Sequence, residues 1–188
     1  IVGLPDKAVE EAKDRINAAI KNSGFKAPAR GNRKIIISLA PANIKKEGTL
    51  FDLAMALSYL KASGDISFNE AGRIFLGELS LDGKIRPVRG TLILAQKAKA
   101  SGFTEIFVPE KNAEEAALLS DINVYACRSL KEVIAHLSSQ TTDTGPIKEP
   151  AQKVLPVMSK TKVKPTGNQT ELNFIDIKGQ AGAKRGLE

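Results

Sequence analysis

The centre of the chain reads Phe75-Leu76-Gly77-Glu78-Leu79-Ser80-Leu81-Asp82-Gly83-Lys84-Ile85-Arg86-Pro87-Val88-Arg89-Gly90. An Asp-Gly pair between two apolar stretches is the strongest short-range signal for a β-hairpin, because glycine accepts the left-handed backbone of the turn. We therefore predict a hairpin whose strands cover residues 73–80 and 84–88.

The segments on both sides of this hairpin alternate between helical and strand patterns. Spacings of three and four between apolar residues predict helices, whereas β-branched apolar runs predict strands. The predicted strands are 34–40 (a buried strand), 105–108 and 122–127. The first predicted helix is opened by Pro5 and Asp6 and closed by Gly24. Four more helices are predicted over 53–60, 92–100, 113–119 and 130–137. Asp52 is the predicted N-cap of the helix over 53–60, and Ser129 and Glu132 form a predicted capping box for the helix over 130–137. Residues 1–138 therefore form an α+β domain, with α/β alternation and a mixed sheet.

Composition and charge limit the function classes. The 188 residues are 42% hydrophobic and 26% charged, which is typical of a folded globular chain. No apolar run approaches the roughly 20 residues that a membrane-spanning helix needs. One Cys and one His exclude a Cys/His zinc site within one chain. The net charge of +7 favours non-specific association with a polyanion, although ordinary surface lysines give the same value.

The C-terminal part changes character twice. Residues 139–170 are dominated by Ser, Thr, Pro, Gly and Lys without apolar periodicity, and we predict a basic linker there. We interpret its lysines first as part of a solvated tether and second as polyanion contacts. Residues 171–188 are patterned again and predict the start of a second, truncated domain. Because the sequence opens on Ile1, we expect it to be a piece of a longer protein.

Chemistry-bearing motifs are scarce. Neither GxxxxGK[ST] nor GxGxxG occurs, so no phosphate-binding loop or other cofactor site is predicted in these residues. His136 lies near the end of the last helix, and we predict a surface or capping role for it. Cys127 ends an apolar strand and is predicted to be a buried thiol.

Two stretches carry a family likeness. They are residues 45–56, which read KKEGTLFDLAMA, and the central stretch 75–90. Their order of loop, capped helix, strand, Asp-Gly turn and strand resembles the proteolytic domain of Lon-type proteases, and residues 102–112 extend the match. The resemblance implies the fold shared with ribosomal protein S5 domain 2.

A narrower likeness points to the ComM/YifB group of bacterial AAA+ proteins, often labelled magnesium chelatase-like. It rests on residues 1–6, 39–42, 46–53 and 75–90, and on a tail over 174–188 that is similar to the first segment of the AAA+ module. The implied organisation is a Lon-protease-like (ChlI-like) domain over 1–138, a linker over 139–170 and the start of the AAA+ ATPase over 171–188.

The Lon resemblance also implies where a catalytic dyad would stand. The Ser position corresponds to Leu50 and the Lys position to Leu92, and neither side chain has a nucleophilic atom or a proton acceptor. Peptidase activity is therefore not expected. Two alternatives remain open, a shifted pair of Thr49 with a neighbouring lysine and a pair of Ser80 with Lys84.

The ComM/YifB resemblance implies a non-catalytic assembly or DNA-contact domain of a DNA branch-migration motor used in natural transformation and recombination. DNA and a homo-hexameric ring are the implied partners, ATP and Mg²⁺ the cofactors of the AAA+ module, and the cytoplasm the location; no metal or membrane partner is expected. Alternatives are a Lon-like serine/threonine peptidase and the motor subunit of a metal chelatase. The candidate phosphate contacts are Lys45, Lys46, Lys84, Arg86 and Arg89.

Overall fold

A computed structural model describes residues 1–28, 34–139, 155–162, 178–180 and 185. In chain order the helices and strands are α1 (Lys7–Asn22), α2 (Asp52–Ser63), β1 (Arg73–Phe75), β2 (Glu78–Leu79), β3 (Ile85–Arg86), α3 (Thr91–Ala100), β4 (Glu105–Pro109), α4 (Glu110–Ala116), β5 (Asn123–Cys127) and α5 (Leu130–Ser139). Except for 178–180 and Arg185, the predicted AAA+ start lies outside the described residues.

The main sheet consists of three parallel strands in the order β1-β4-β5. The register pairs Arg73 with Glu105 and Ile106 with Val124. β2 and β3 form a separate antiparallel ladder. The predicted α+β class is therefore confirmed, whereas the predicted mixed sheet is not, because the parallel and antiparallel strand pairs of the described residues lie in two separate sheets.

Helices cover both faces of the parallel sheet because the side chains of each strand alternate between the faces. On β4, Phe107 packs into a cluster with buried residues of α1, α2 and α5, whereas Ile106 and Val108 pack with those of α3 and α4. On β5, Tyr125 and Cys127 belong to the first cluster. Burial raises the pKa of the Cys127 thiol, and the predicted buried thiol is confirmed.

The predicted hairpin is confirmed only around its turn. β2 pairs with β3 across Asp82 and Gly83, but residues 73–75 belong to a different strand, which pairs with β4 in parallel. The chain changes partner at Gly77, where an added Cβ would lie 2.6 Å from the Cγ2 atom of Ile85. Glycine at this position therefore allows the hairpin to approach the end of β1 closely.

The prediction of a buried strand over 34–40 is wrong. This segment makes one isolated parallel bridge, between Val2 and Ser38, and Ile35 and Ile36 are 41% and 64% exposed. Ile37 and Leu39 do pack against the first cluster. An apolar run indicates that side chains can be buried, but a strand also needs a neighbouring strand to pair with. Among the described residues, Val2 is the only bridge partner of segment 34–40.

The predicted N-terminal caps of α1 and α5 are present, whereas the predicted cap of α2 is not. The Asp6 carboxylate accepts the Val9 N–H at 2.8 Å, and Ser129 Oγ accepts the Glu132 N–H at 3.3 Å, which is one half of the predicted capping box. In the other half, the Glu132 carboxylate accepts the N–H of Arg128 at 3.0 Å instead of the N–H of Ser129. Asp52 is the first residue of α2 rather than its N-cap, and the N-cap residue Phe51 makes no side-chain bond. The carboxylate of Asp52 instead binds side chain and backbone groups far away in sequence, as described below.

Three further expectations differ from the structure. The short helix α4 begins three residues early, at Glu110, because Pro109 ends β4 and suits a helix start. His136 is 1% exposed rather than on the surface. Residues 155–162, inside the predicted linker, pack on the domain beside it: the Leu155 N–H donates to His136 Nδ1 at 3.1 Å. The other residues of 140–170 lie outside the described part.

Candidate functional site

The loop before α2 holds the first of the two dyad positions. The Gly48 N–H donates to Asp6 Oδ2 at 3.0 Å, and the Leu50 carbonyl accepts the Gly77 N–H at 3.1 Å. The two backbone N–H groups of Gly48 and Val9 lower the pKa of Asp6, so the carboxylate that holds the loop is ionised. Leu50 itself is half-buried against the second cluster. The loop is therefore fixed to both α1 and the hairpin.

The second dyad position lies in the first turn of α3. Leu92 is half-buried, and its N–H donates to Glu115 Oε1 at 3.0 Å. Asn112 stands beside this bond, accepting the Val88 N–H at 3.0 Å and donating to the Val88 carbonyl at 2.9 Å. The start of α3 is thus bound to α4 by side chain–backbone bonds, and the aliphatic side chain of Leu92 offers no group that transfers a proton.

Thr49 does not pair with a lysine. Its hydroxyl donates to Glu78 Oε2 at 2.6 Å, and Glu78 Oε1 also lies 3.4 Å from an Arg86 guanidinium nitrogen. Lys45 is bound 2.8 Å from Glu47, whose contact raises the pKa of the Lys45 ammonium. A protonated ammonium is not a base, so Thr49 lacks the partner that a shifted dyad needs.

The Ser80–Lys84 alternative has the same difficulty. The Ser80 hydroxyl donates to Asp82, and the Lys84 ammonium lies 2.9 Å from Asp82 Oδ2. These two contacts lower the pKa of Asp82, so a carboxylate separates the serine from the lysine. The Lys84 side chain is also 76% exposed.

The five candidate phosphate contacts differ in availability. Lys46 is only 7% exposed and donates to the backbone carbonyls of Pro41 and Ile44, so its ammonium is occupied. Lys45, Lys84 and Arg86 each face one carboxylate but remain more than 60% exposed. Arg89 is exposed and forms no ion pair within the described residues.

An ion pair under the site fixes the hairpin to the helices. Asp52 is fully buried and accepts Arg15 Nε at 2.7 Å, a second Arg15 nitrogen at 3.0 Å and the Leu79 N–H at 3.1 Å. Burial raises the pKa of Asp52 against the lowering effect of these donors, and the hydrogen bond that Arg15 donates to Asp52 raises the pKa of Arg15. Because Leu79 follows Glu78, this pair also positions the carboxylate that Thr49 and Arg86 contact.

Sequence reasoning missed four groups that organise the site: Glu78, Asn112, Glu115 and the Arg15–Asp52 pair. Glu78 carried a visible signal, an acidic residue inside an otherwise apolar stretch. Asn112 and Glu115 are three residues apart, which places them on one face of a helix. Nothing local links Arg15 with Asp52, since 37 residues separate them.

Comparisons with known proteins identify the family of the chain. The family model described as Subunit ChlI of Mg-chelatase matches residues 1–112. The chain belongs to the ChlI family. It is 37% identical to Competence protein ComM of Haemophilus influenzae over 191 residues, covering 100% of this chain and 34% of the relative. It is 36% identical to Uncharacterized protein YifB of Escherichia coli over 189 residues, with the same coverage of both chains.

This ChlI-family chain therefore spans about a third of the length of the curated relatives it matches. The predicted likeness to the ComM/YifB group is confirmed. A shorter match joins 59% of the chain to 13% of Lon protease from Porphyromonas gingivalis, at 30% identity over 111 residues.

Membrane spans and metal clusters are both absent from the described residues. No helix there combines the length and apolar character needed to cross a bilayer. No group of three or more His, Cys, Asp or Glu side chains in that part of the chain is arranged to hold a metal ion.

Proposed function

We propose that this chain is a non-catalytic assembly and DNA-contact domain of a ComM-like AAA+ ATPase that acts in DNA branch migration. The proposal includes a Lon-protease-like, ribosomal protein S5 domain 2-like fold for residues 1–138. The remainder of the parent protein would supply the ATP- and Mg²⁺-dependent motor and assemble as a hexameric ring in the cytoplasm. The similarity of the whole chain to 34% of a protein named for competence supports this reading.

The observation that carries the proposal is the identity of two side chains. Leu50 and Leu92 stand at both positions where the Lon likeness would require a nucleophile and a base. The hydroxyl nearest to that position, on Thr49, is bound by Glu78 instead of a neutral amine. A peptidase of this type needs both groups of the dyad, since loss of the nucleophile or the base from a serine protease lowers kcat by about 10⁶-fold.

The DNA part of the proposal rests on exposed cations at one end of the hairpin. Arg86 ends β3, and Arg89 follows three residues later, just before α3. Exposed arginines bind phosphate oxygens without reading bases, which suits a motor that moves along DNA of any sequence. Lys84, which precedes β3 at the turn end of the hairpin, adds a third exposed cation.

Fluorescence anisotropy of labelled single- and double-stranded DNA tests this part. At low salt we expect binding that weakens about ten-fold in the double variant Arg86→Ala/Arg89→Ala, because two phosphate contacts are lost. The matched control, Lys13→Ala/Lys21→Ala, removes the same charge from exposed positions of α1 and should change the affinity less than about two-fold. Undetectable binding at low salt, or equal effects of both double variants, would overturn the DNA proposal.

A peptidase assay tests the non-catalytic part separately. Incubation with an unfolded protein substrate should give no cleavage above a buffer blank. Cleavage that disappears in Thr49→Ala would show a working hydroxyl in this loop, and the domain would then be a Lon-like peptidase.

A further inference from the structure

Residues 155–162, which we call the strap, cross the open edge of the main sheet. β5 is an edge strand, and Val157 bridges Tyr125 of β5 in antiparallel direction. The Met158 N–H donates to the Val124 carbonyl at 2.8 Å. The strap therefore extends the sheet by a short strand-like segment.

Both ends of the strap are held by helices on opposite faces of the sheet. At one end, the Thr161 N–H donates to the Ala117 carbonyl at 2.9 Å and its hydroxyl to the Glu114 carbonyl at 2.7 Å. At the other end, the Leu155 N–H donates to His136 Nδ1 of α5 at 3.1 Å. Leu155 also packs against the first hydrophobic cluster. The imidazole is the single titratable side chain in these backbone contacts.

The acceptor role defines the protonation state of His136. A ring nitrogen that accepts a hydrogen bond carries no proton, whereas an imidazolium carries protons on both nitrogens and accepts none. The ring is 1% exposed and lies 4.8 Å from the Tyr125 ring and 5.4 Å from the Phe107 ring, between centroids. It has little room to turn its other face toward the strap.

Burial favours this neutral state, and the charged groups around the ring act in opposite directions. Burial lowers the pKa of His136; Glu105 on β4 opposes that effect and Arg73 on β1 reinforces it. Glu105 is itself bound by Arg73 at 2.6 Å, and Tyr125 on β5 contributes a neutral phenol. Among the described residues these are the titratable groups that face His136 from the elements packed against it.

We propose that the strap is attached to the β5 edge through an unprotonated His136, and that protonation of this imidazole releases the strap while the rest of the domain stays folded. Protonation places a second N–H opposite the Leu155 N–H, so the bond is replaced by a repulsive contact. Release uncovers backbone groups of Val124 and Ala117 that the strap satisfies.

Amide hydrogen exchange of the whole chain tests this proposal. Protection factors at Leu155, Met158 and Thr161 should fall together, by about ten-fold per pH unit, as the pH drops below the ordinary histidine value of 6.5. Protection at the β4 residues Ile106 and Phe107 should not change. Since the chain contains one His, its imidazole proton signal reports the titration in the same sample without assignment ambiguity.

Two variants distinguish release of the strap by protonation of His136 from a general loss of strap stability. His136→Asn keeps an oxygen acceptor close to the Nδ1 position and cannot be protonated, so protection of the strap should become independent of pH. Thr161→Val removes one strap bond far from the imidazole, so protection should fall at every pH with the slope unchanged.

Three results would overturn the proposal. The first is strap amides that keep their protection while the imidazole signal titrates. The second is loss of protection by the strap and β4 amides in one step. The third is a His136→Asn variant with the same pH dependence as the unchanged chain. If that variant does not fold, the comparison of strap with β4 amides in the unchanged chain still decides.

Discussion

Replacement of Asp52 by alanine removes the buried acceptor of three hydrogen bonds, of which the one from Leu79 is buried and the two from Arg15 are partly buried. Two come from Arg15, at 2.7 and 3.0 Å, and one from the Leu79 N–H at 3.1 Å. The side chain of Asp52 is 1% exposed and that of Arg15 17%, so little water replaces the lost carboxylate. Removing one partner of a buried ion pair costs about 3–5 kcal/mol. The partial exposure of Arg15 favours the lower end, about 3 kcal/mol.

The free energy of unfolding is measured by urea denaturation, followed by far-UV circular dichroism because the chain has no Trp. Asp52→Asn keeps an oxygen acceptor but loses the charge, so we expect an intermediate loss of about 1.5–2 kcal/mol. The matched control is Asp14→Ala, an exposed aspartate on α1, which should stay within about 0.5 kcal/mol. If a folded Asp52→Ala variant loses less than about 1 kcal/mol in the free energy of unfolding, the Arg15–Asp52 pair does not fix the hairpin to the helices.

Three further changes have defined outcomes. Gly77→Ala forces a Cβ to 2.6 Å from Ile85 Cγ2, so urea denaturation should show a loss of about 1–3 kcal/mol, whereas an unchanged midpoint would show that the close approach is not needed. Ser129→Ala removes the acceptor for the Glu132 N–H and should cost about 1 kcal/mol, detectable as a lower midpoint at an unchanged slope; no shift would show that the cap contributes nothing. Glu78→Gln removes a negative charge facing an exposed guanidinium and should tighten DNA binding in the anisotropy assay, whereas weaker binding would contradict this placement.

Sequence patterns predicted those elements whose stabilising contacts lie close together in the sequence. The caps at Asp6 and Ser129 lie within three residues of the N–H groups they bind, and both are present. The continuous apolar runs of β4 and β5 predicted strands, and such runs fit a sheet whose two faces each meet their own helices. The same reasoning predicted the Asp-Gly turn, since its two strands are adjacent in sequence.

The misses share a dependence on distant partners. Asp52 has the residue type of an N-cap, yet Arg15 and Leu79 compete for its carboxylate. His136 is buried beside the strap, where its Nδ1 accepts the Leu155 N–H. The strap carries the apolar run Leu155-Pro156-Val157-Met158, but the Ser-, Thr-, Pro- and Lys-rich composition of residues 139–170 as a whole predicted only a linker.

The sequence indicated which chemical groups the candidate site contains, but not which partners their side chains bind. The resemblance to Lon-type proteases implies that Leu50 and Leu92 stand at the two dyad positions, and the aliphatic side chains there offer neither a nucleophile nor a base. That the Thr49 hydroxyl binds Glu78, and that Lys46 turns toward backbone carbonyls, depends on loop geometry that the sequence does not display.

The salt dependence of DNA binding tests the central claim most directly, because it counts phosphate contacts instead of overall charge. A plot of the logarithm of the association constant against the logarithm of salt concentration should be linear for the whole chain with duplex DNA. The slope should become shallower by about 0.9 for each of Arg86→Ala and Arg89→Ala, and stay unchanged for Lys13→Ala. A slope that neither arginine variant alters, or the absence of salt-dependent binding, would contradict a DNA-contact domain.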